Sequence, residues 1–204
     1  MKRKVTLLLA LVMLTTMFAF AGCSSNPSGG NQDKHIEGSA GLEYTLSEDG
    51  TYYIWSSIGT CTDKDVVVGN WHEGLPVKEI VASLDRPEGP AGYKDWDIET
   101  LTISDGITTL NFGACSIESV KRVVFPDGIE EIAQCSLSFC INIEEVVFGK
   151  GLKTIAVDVF RKNEGSLKTI YFRGTEEEWN QIEIDQTGND CIQGATIVFN
   201  YTGD

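Results

Sequence analysis

Apolar residues recur along the chain in units of 22 to 24 positions, and their spacing inside each unit is constant. Counting from the first apolar residue of a unit, the next ones follow three, five, nine and twelve positions later. The complete units are Ile98, Leu101, Ile103, Ile107, Leu110; Val120, Val123, Phe125, Ile129, Ile132; and Ile143, Val146, Phe148, Leu152, Ile155. A fourth unit begins with Leu167, Ile170 and Phe172 and then departs from the pattern. Because the spacing inside the units is constant while their length varies from 22 to 24 residues, the extra residues are expected in loops.

Each unit is expected to contain two short strands joined by a bend. The apolar positions three and five residues into a unit alternate with others, which is the period of a strand. A glycine follows at Gly106, Gly128 and Gly151, and the Pro-Asp-Gly order in FPDGI suits a tight turn. One unit cannot bury its apolar side alone, so successive units should stack as coils whose strands form parallel ladders. A worn first unit is expected at Val77, Ile80 and Ala82.

The units resemble the BspA-type leucine-rich repeat, which reads roughly L-x-x-I-x-I-P-x-x-I-x-x-I-x-x-x-A-F-x-x-C. The best example is VKRVVFPDGIEEIAQCSLSFC, in which Ser136 and Leu137 stand in place of the Ala-Phe pair and Cys140 fills the cysteine position. The resemblance covers about residues 42–201. It implies a leucine-rich-repeat solenoid, mainly β with parallel strand ladders, short helical turns and a C-terminal cap helix. It also implies adhesion or surface interaction for some members.

The two ends of the repeat array read as caps. LEYTL and TYYIW flank Ser-Glu-Asp-Gly and predict a hairpin. Thr175 and Glu178 form a capping-box pattern that opens a short helix carrying Trp179, and ATIVFNY predicts a last strand. Trp55 and Trp179 suit either sugar stacking or core coverage, and coverage is favoured. We expect an N-terminal cap at 42–76, repeats at about 77–173 and a C-terminal cap at 174–204.

The first 22 residues read as a lipoprotein signal peptide. MKRK is followed by the apolar stretch VTLLLALVMLTTMFAFAG and then by Cys23, in a pattern similar to the bacterial lipobox. The resemblance implies lipidation of Cys23; a plain secretory peptide and an uncleaved anchor are the alternatives. The Ser-, Gly- and Asn-rich residues 23–41 are expected to form a flexible tether. All of these interpretations export the domain, and the first places it on a bacterial membrane, at the extracellular or periplasmic face.

Charge and motifs exclude several classes of function. The formal net charge of −14 disfavours nucleic-acid binding, because phosphate backbones are also anionic. No phosphate-binding glycine loop is present, and no cofactor is expected. Of the two histidines, His35 lies in the expected tether and His72 in an expected turn, so a catalytic role has little support. We expect no enzyme activity.

The cysteines and acidic turns leave several chemical interpretations open. Beyond Cys23 there are five cysteines, an odd number: Cys61, Cys115, Cys135, Cys140 and Cys191. Buried thiols are favoured over a disulfide, and a metal site is least favoured because no Cys-x-x-Cys pair occurs. Acidic turns such as SEDG and TDKD could hold calcium, but they lack a full EF-hand loop and solvated turns are favoured.

A candidate binding patch follows from the strand alternation. The residues between the core positions should face water, and one such row reads Thr102, Val124, Val147 and Tyr171. Apolar residues with a charged border are typical of a recognition surface. The candidate binding residues are Arg122, Val124, Glu145, Val147, Tyr171 and Arg173. The alternative is that β-branched residues simply favour strands or that a loop covers the row.

The leading functional hypothesis is a surface-anchored, non-enzymatic binding or adhesion protein that recognises a protein or glycan partner through the solenoid. The first alternative is a structural envelope protein or spacer without a specific ligand. A third is an enzyme with an unrecognised site. Fold does not determine function, so these alternatives remain open at the level of the sequence.

Overall fold

Short strands from successive coils dominate the computed structural model, which describes residues 34–81, 97–111, 113–163 and 165–203. Only two four-residue helices occur in these ranges. The strands are β1 (Glu43–Leu46), β2 (Tyr53–Ser57), β3 (Asp65–Val68), β4 (Trp71–His72), β5 (Leu75–Ile80), β6 (Thr100–Ile103), β7 (Thr109–Leu110), β8 (Arg122–Val124), β9 (Glu131–Ile132), β10 (Glu145–Phe148), β11 (Thr154–Ile155), β12 (Thr169–Phe172), β13 (Glu183–Ile184) and β14 (Thr196–Val198). The helices are α1 (Glu176–Trp179) and α2 (Cys191–Gly194).

Six of these strands form one parallel sheet in the order β14-β12-β10-β8-β6-β3. Equivalent residues of neighbouring coils pair in register, as Leu101, Val123 and Val146 do. The other strands lie in two further sheets, one of β9, β11 and β13 and the other of β1, β2, β4, β5 and β7. The predicted stack of coils with parallel ladders is therefore confirmed.

The core consists of the repeated apolar positions. All fifteen residues of the three complete units are buried, and they pack in a single hydrophobic cluster. Along one row of this cluster the rings of Phe125 and Phe148 stack with centroids 5.6 Å apart. Trp179 meets Phe172 edge-on at 5.4 Å at the end of that row, so this tryptophan covers the core as expected.

The first coil differs from its prediction. Val77 and Ile80 do not open a worn unit; they lie in β5, where Ile80 pairs with Leu110 of β7. The strand that starts this coil is β3, whose Val66 pairs with Leu101. The residues of this coil that are equivalent to Leu101, Ile103, Ile107 and Leu110 are therefore Val66, Val68, Val77 and Ile80. The loop between Val68 and Val77 holds extra residues. The first coil of the main sheet therefore begins within the range assigned to the N-terminal cap.

The fourth unit also continues further than its sequence pattern suggested. After β12 the chain forms α1, whose capping box has both expected hydrogen bonds, from the Glu178 N–H to Thr175 Oγ1 at 3.2 Å and from the Thr175 N–H to Glu178 Oε2 at 2.7 Å. The chain then returns to the short-strand ladder, since Ile184 of β13 pairs with Ile155. The predicted last strand is present as β14 and pairs with β12.

At the other end, the predicted hairpin is formed by β1 and β2, which pair antiparallel. The residues just before it are docked, which corrects the expectation of a flexible tether for residues 34–41. The Ile36 N–H donates to Asn70 Oδ1 at 2.9 Å, and the Ser39 N–H donates to the Val67 carbonyl at 2.9 Å. Gly38 permits this close approach, because a Cβ there would collide with the hydroxyl of Tyr44.

The signal peptide, Cys23 and the first part of the expected tether lie outside the described residues. Within the ranges that the structure describes, no helix combines the length and the apolar character needed to cross a membrane.

Candidate functional site

The candidate site is the outward side of the six-stranded sheet, called here the sheet face. Alternate residues of each strand point away from the core, and two from each strand form this face. They are Asp65, Val67, Thr100, Thr102, Arg122, Val124, Glu145, Val147, Thr169, Tyr171, Thr196 and Val198. Parallel pairing in register turns them into straight rows across the coils, which is how the repeat brings distant residues together.

The expectation that Val124 and Val147 are exposed is wrong. Their side chains are 3% and 0% exposed, although they lie outside the main core cluster and on the opposite side of the sheet. Burial on both sides of a strand requires a second layer over the outward side. The alternative of a covering segment is therefore the one that the structure supports.

The second layer includes residues 200–203, which follow β14 and Phe199; Phe199 itself packs against the core. The Asn200 N–H donates to the Gly174 carbonyl at 2.8 Å, and the Tyr201 N–H donates to the Phe172 carbonyl at 3.1 Å. The ring of Tyr201 packs on that of Tyr171 with centroids 4.5 Å apart. Because Tyr171 pairs with Val147 in the ladder, this places Tyr201 close to the buried valines.

Arg122 connects the covering segment to the strands. Its Nη2 donates to the Tyr201 hydroxyl at 3.0 Å, its Nη1 pairs with Glu145, and its guanidinium lies 5.3 Å from the centre of the Tyr171 ring. Burial disfavours its charge, but the hydrogen bonds to Tyr201 and Glu145 outweigh burial and raise the pKa of Arg122 above its ordinary value. The guanidinium is therefore a fixed cation in the middle of the sheet face.

Arg173, the sixth predicted binding residue, lies away from this cluster and has a different role. Its Nη1 donates to the Phe125 carbonyl at 3.2 Å and lies 3.7 Å from an Asp127 carboxylate oxygen. It thus ties the end of β12 to the turn after β8. The structure brings together three of the six predicted residues, Arg122, Glu145 and Tyr171. The two valines beside them are buried, and Tyr201 joins the cluster although it was not predicted.

Tyr201 was not among the predicted binding residues, because ATIVFNY predicts only a last strand. The strand ends at Val198, and Asn200 then adopts a φ of +53°, a left-handed conformation that asparagine tolerates better than most residues. The sequence signal for this residue was its position: it is an aromatic residue directly after an asparagine, at the end of a predicted edge strand. Its contact with Arg122 spans 79 positions, which no local pattern shows.

A second feature is a row of alternating charges at the edge where the strands begin. Lys64 and Lys121 both pair with Glu99, at 3.0 and 3.3 Å, and Lys168 pairs with Glu144 at 2.7 Å. Hydrogen bonds from these lysines lower the pKa of Glu99 and of Glu144. The row borders a groove of about 500 Å³, lined by Ser119, Lys121, Ile141, Asn142, Glu144, Ser166 and Lys168.

His72 has a packing role at the N-terminal end. Its ring stacks on Tyr44 at 4.2 Å and meets the edge of Tyr53 at 4.8 Å. Burial raises the pKa of Tyr44 to about 12, so this phenol stays neutral beside the imidazole. In the part of the chain that the structure describes, no three His, Cys, Asp or Glu side chains gather closely enough to hold a metal ion.

Three cysteines are buried, as the favoured interpretation expects, and two are partly exposed. Cys115 and Cys140 are fully buried thiols in adjacent coils, and Cys140 Sγ donates to the Cys115 carbonyl at 3.0 Å. Cys61 and Cys135 are also free thiols, the first buried and the second partly exposed. Cys191 is partly exposed on α2.

Comparison with known proteins supports the repeat assignment. Residues 91–191 match the family described as BspA type leucine rich repeat region, in six copies. No curated protein matches the chain.

Two solved structures are similar. The leucine-rich repeat protein of T. pallidum superposes with a TM-score of 0.57 at 22% identity, over 77% of this chain and 68% of that one. A leucine rich cell surface protein of Faecalibacterium prausnitzii has a TM-score of 0.48 at 17% identity, over 71% of this chain and 41% of that one. The first likeness shows that the two chains share a fold.

Proposed function

The chain is a BspA-type leucine-rich repeat protein over residues 91–191, and from that premise we propose that it is a surface-anchored, non-enzymatic binding protein. Its fold is one that is often used for protein binding. The proposed recognition surface is the sheet face, and the proposed partner is a protein or a glycan. The anchor is the lipid on Cys23, proposed from the signal sequence that precedes it.

The observation that carries this proposal is the composition of the sheet face around Arg122. Three features of a binding hot spot occur together: an arginine held by Glu145, aromatic rings at Tyr171 and Tyr201, and an apolar floor. Arginine and tyrosine are enriched at the centres of interfaces because they combine stacking area with hydrogen bonds. None of these groups belongs to the main hydrophobic core.

Capture from extracts tests the proposal. The full chain, purified in detergent, would be used to retain proteins and glycans from bacterial surface and host extracellular-matrix extracts. The variant Thr102→Arg/Thr169→Arg places two bulky cations on the sheet face, at side chains that are already partly exposed. The matched control Thr109→Arg/Thr154→Arg makes the same changes on the short strands β7 and β11.

A partner that wild type and control retain and that the sheet-face variant loses would support the proposal. Retention by all three proteins would contradict the sheet face and point to another surface, such as the groove beside Lys121 and Lys168. Retention of no partner by any of them would favour a structural spacer. Circular dichroism of each variant would verify that its fold is intact.

A further inference from the structure

The residues that precede the hairpin lie along the outer edge of the main sheet. We propose that residues 34–41, called here the edge strap, keep the protein monomeric by covering the outer edge of β3. Without the strap, this edge would pair with the β3 edge of a second copy of the chain. The inference concerns self-association and does not depend on the proposed binding role of the sheet face.

The strand β3 is the last of the six-stranded sheet at its N-terminal end, so β6 pairs with only one of its two edges. The Thr100 N–H donates to the Lys64 carbonyl at 3.0 Å, and the Ser104 N–H donates to the Val68 carbonyl, also at 3.0 Å. Because alternate residues of a strand bond to opposite sides, the N–H and the carbonyl of Val67 point to the other edge. An edge with unpaired backbone groups is a template for another strand.

A single residue of the edge strap satisfies both outward groups of Val67. The Ser39 N–H donates to the Val67 carbonyl at 2.9 Å, and the Val67 N–H donates to Ser39 Oγ at 3.1 Å. The serine side chain thus takes the place that a backbone carbonyl has in a regular ladder. With the strap docked, neither group of Val67 is available to a second chain.

Contacts at both ends hold the edge strap in place. At its start, the Trp71 N–H donates to the Ile36 carbonyl at 3.3 Å, and the ring of His35 stacks on that of Trp71 at 3.7 Å with the planes 9° apart. At its end, the Thr60 N–H donates to the Gly41 carbonyl at 3.0 Å. The strap is therefore a fixed part of the fold.

Gly69, directly after β3, makes room for the edge strap. A Cβ at this position would collide with the backbone nitrogen of Gly38 and the carbonyl oxygen of Ile36, both in the strap. These are backbone atoms, which cannot rotate aside as a side chain can. Gly69 does not have a positive φ, so the close approach of the strap is what requires a glycine here. A methyl group at Gly69 should therefore displace the strap without changing the strap's own sequence.

The released edge fits the same edge of a second copy. Two β3 strands related by a two-fold axis run antiparallel, and Val67 of each copy then exchanges both hydrogen bonds with Val67 of the other. Such an isologous contact closes on itself, so the product is a dimer. Repulsion between two chains of formal charge −14 opposes this dimer at low ionic strength, so high salt should favour it.

Two substitutions release the edge strap by different routes. Gly69→Ala adds the colliding methyl group, and Ser39→Pro removes the N–H that binds the Val67 carbonyl. Gly194→Ala is the matched control, because a Cβ there meets no atom within 4 Å. The double variant Gly69→Ala/Val67→Pro releases the strap but also removes the outward N–H of β3, at a sheet edge where proline is tolerated.

Two measurements would be made on the full chain in density-matched detergent at high salt. Hydrogen exchange of residues 35–41, followed by mass spectrometry at low protein concentration, reports whether the edge strap is docked. Sedimentation equilibrium gives the mass of the protein as a function of its concentration.

We expect wild type and Gly194→Ala to remain monomeric. In Gly69→Ala and in Ser39→Pro, residues 35–41 should exchange at least about tenfold faster than in wild type, and the mass should rise with concentration towards that of two chains. Gly69→Ala/Val67→Pro should exchange as fast as Gly69→Ala but stay monomeric, because its β3 edge lacks the donor.

A released strap without a rise in mass would overturn the inference, as would a dimer that Val67→Pro does not reverse. If residues 35–41 exchange as slowly in both release variants as in wild type, the contacts described above do not hold the strap and the inference also fails. A dimeric wild type would contradict the blocking role of the strap. Each release variant serves as the test if the other does not fold.

Discussion

At the residue scale, the two valines of the sheet face show that strand alternation predicts direction but not exposure. Val124 and Val147 point away from the core, as the pattern required, and are nevertheless buried. Their burial depends on a segment that is remote in sequence, since Tyr201 packs on Tyr171, the ladder neighbour of Val147. A charge placed at either valine would therefore be buried rather than displayed.

The variant Val147→Glu should destabilise the protein by about 3 kcal/mol or more, because it buries a carboxylate without a dedicated partner. The matched change Val198→Glu on β14, where the side chain is 37% exposed, should cost no more than about 0.5 kcal/mol. Urea denaturation followed by circular dichroism measures both. Similar midpoints for the two variants would contradict the burial of Val147.

The core thiols provide a second test at this scale. Burial raises the pKa of Cys140 to about 12 and also raises the pKa of Cys115. Because the thiolate is the reactive form, neither should react with iodoacetamide in the folded protein at pH 8, whereas the partly exposed Cys135 should. Mass spectrometry of the labelled peptides gives the order. Labelling of Cys115 as fast as Cys135 would show that the coil interior opens.

At the scale of the elements, neighbouring coils are joined by charge pairs as well as by ladders. Glu99 lies between Lys64 of the preceding coil and Lys121 of the following one. All three side chains are exposed, so each pair contributes little on its own. These pairs favour the observed register between coils, because a shift of one residue between coils would separate the charges.

These pairs make a prediction for acid stability. Since the pKa of Glu99 and of Glu144 is lowered in the folded state, their contribution is present above the unfolded value, near 4.5, and is lost as the pH falls through the lower folded value. Wild type should be more stable than Glu99→Gln at pH 7, and this difference should shrink towards zero below about pH 4. Thermal melts at low ionic strength measure it. A difference that is constant across this range would contradict the pairing.

The sequence predicted the elements where the repeat is regular and missed them where it is not. The fifteen core positions could be predicted because each coil buries apolar residues at the same spacing. Cys135 and Asp158 take the turn position that Gly113 holds one and two coils earlier, with φ of +60° and +59°, but neither residue is a glycine, so the sequence did not indicate a turn there. The docking of Ile36 and Ser39 depends on backbone hydrogen bonds, which leave no apolar pattern.

At the scale of the whole molecule, an acidic solenoid carries one fixed cation on its sheet face. The chain has a formal charge of −14, and the fold holds Arg122 over the Tyr171 ring and against the Tyr201 hydroxyl. The repeats form the rows of the sheet face, and the segment after β14 adds the Tyr201 ring, which packs on Tyr171. Recognition on this face would therefore depend on residues from four places in the chain: Arg122, Glu145, Tyr171 and Tyr201.

The most direct test of the sheet face as the binding surface is photocrosslinking at single positions. A benzophenone amino acid would replace Thr169 on the sheet face or, as the control, Thr154 on β11, in the full chain exposed to surface extracts. We predict that Thr169 crosslinks a partner and that Thr154 crosslinks none. Crosslinks from Thr154 with none from Thr169 would contradict the account.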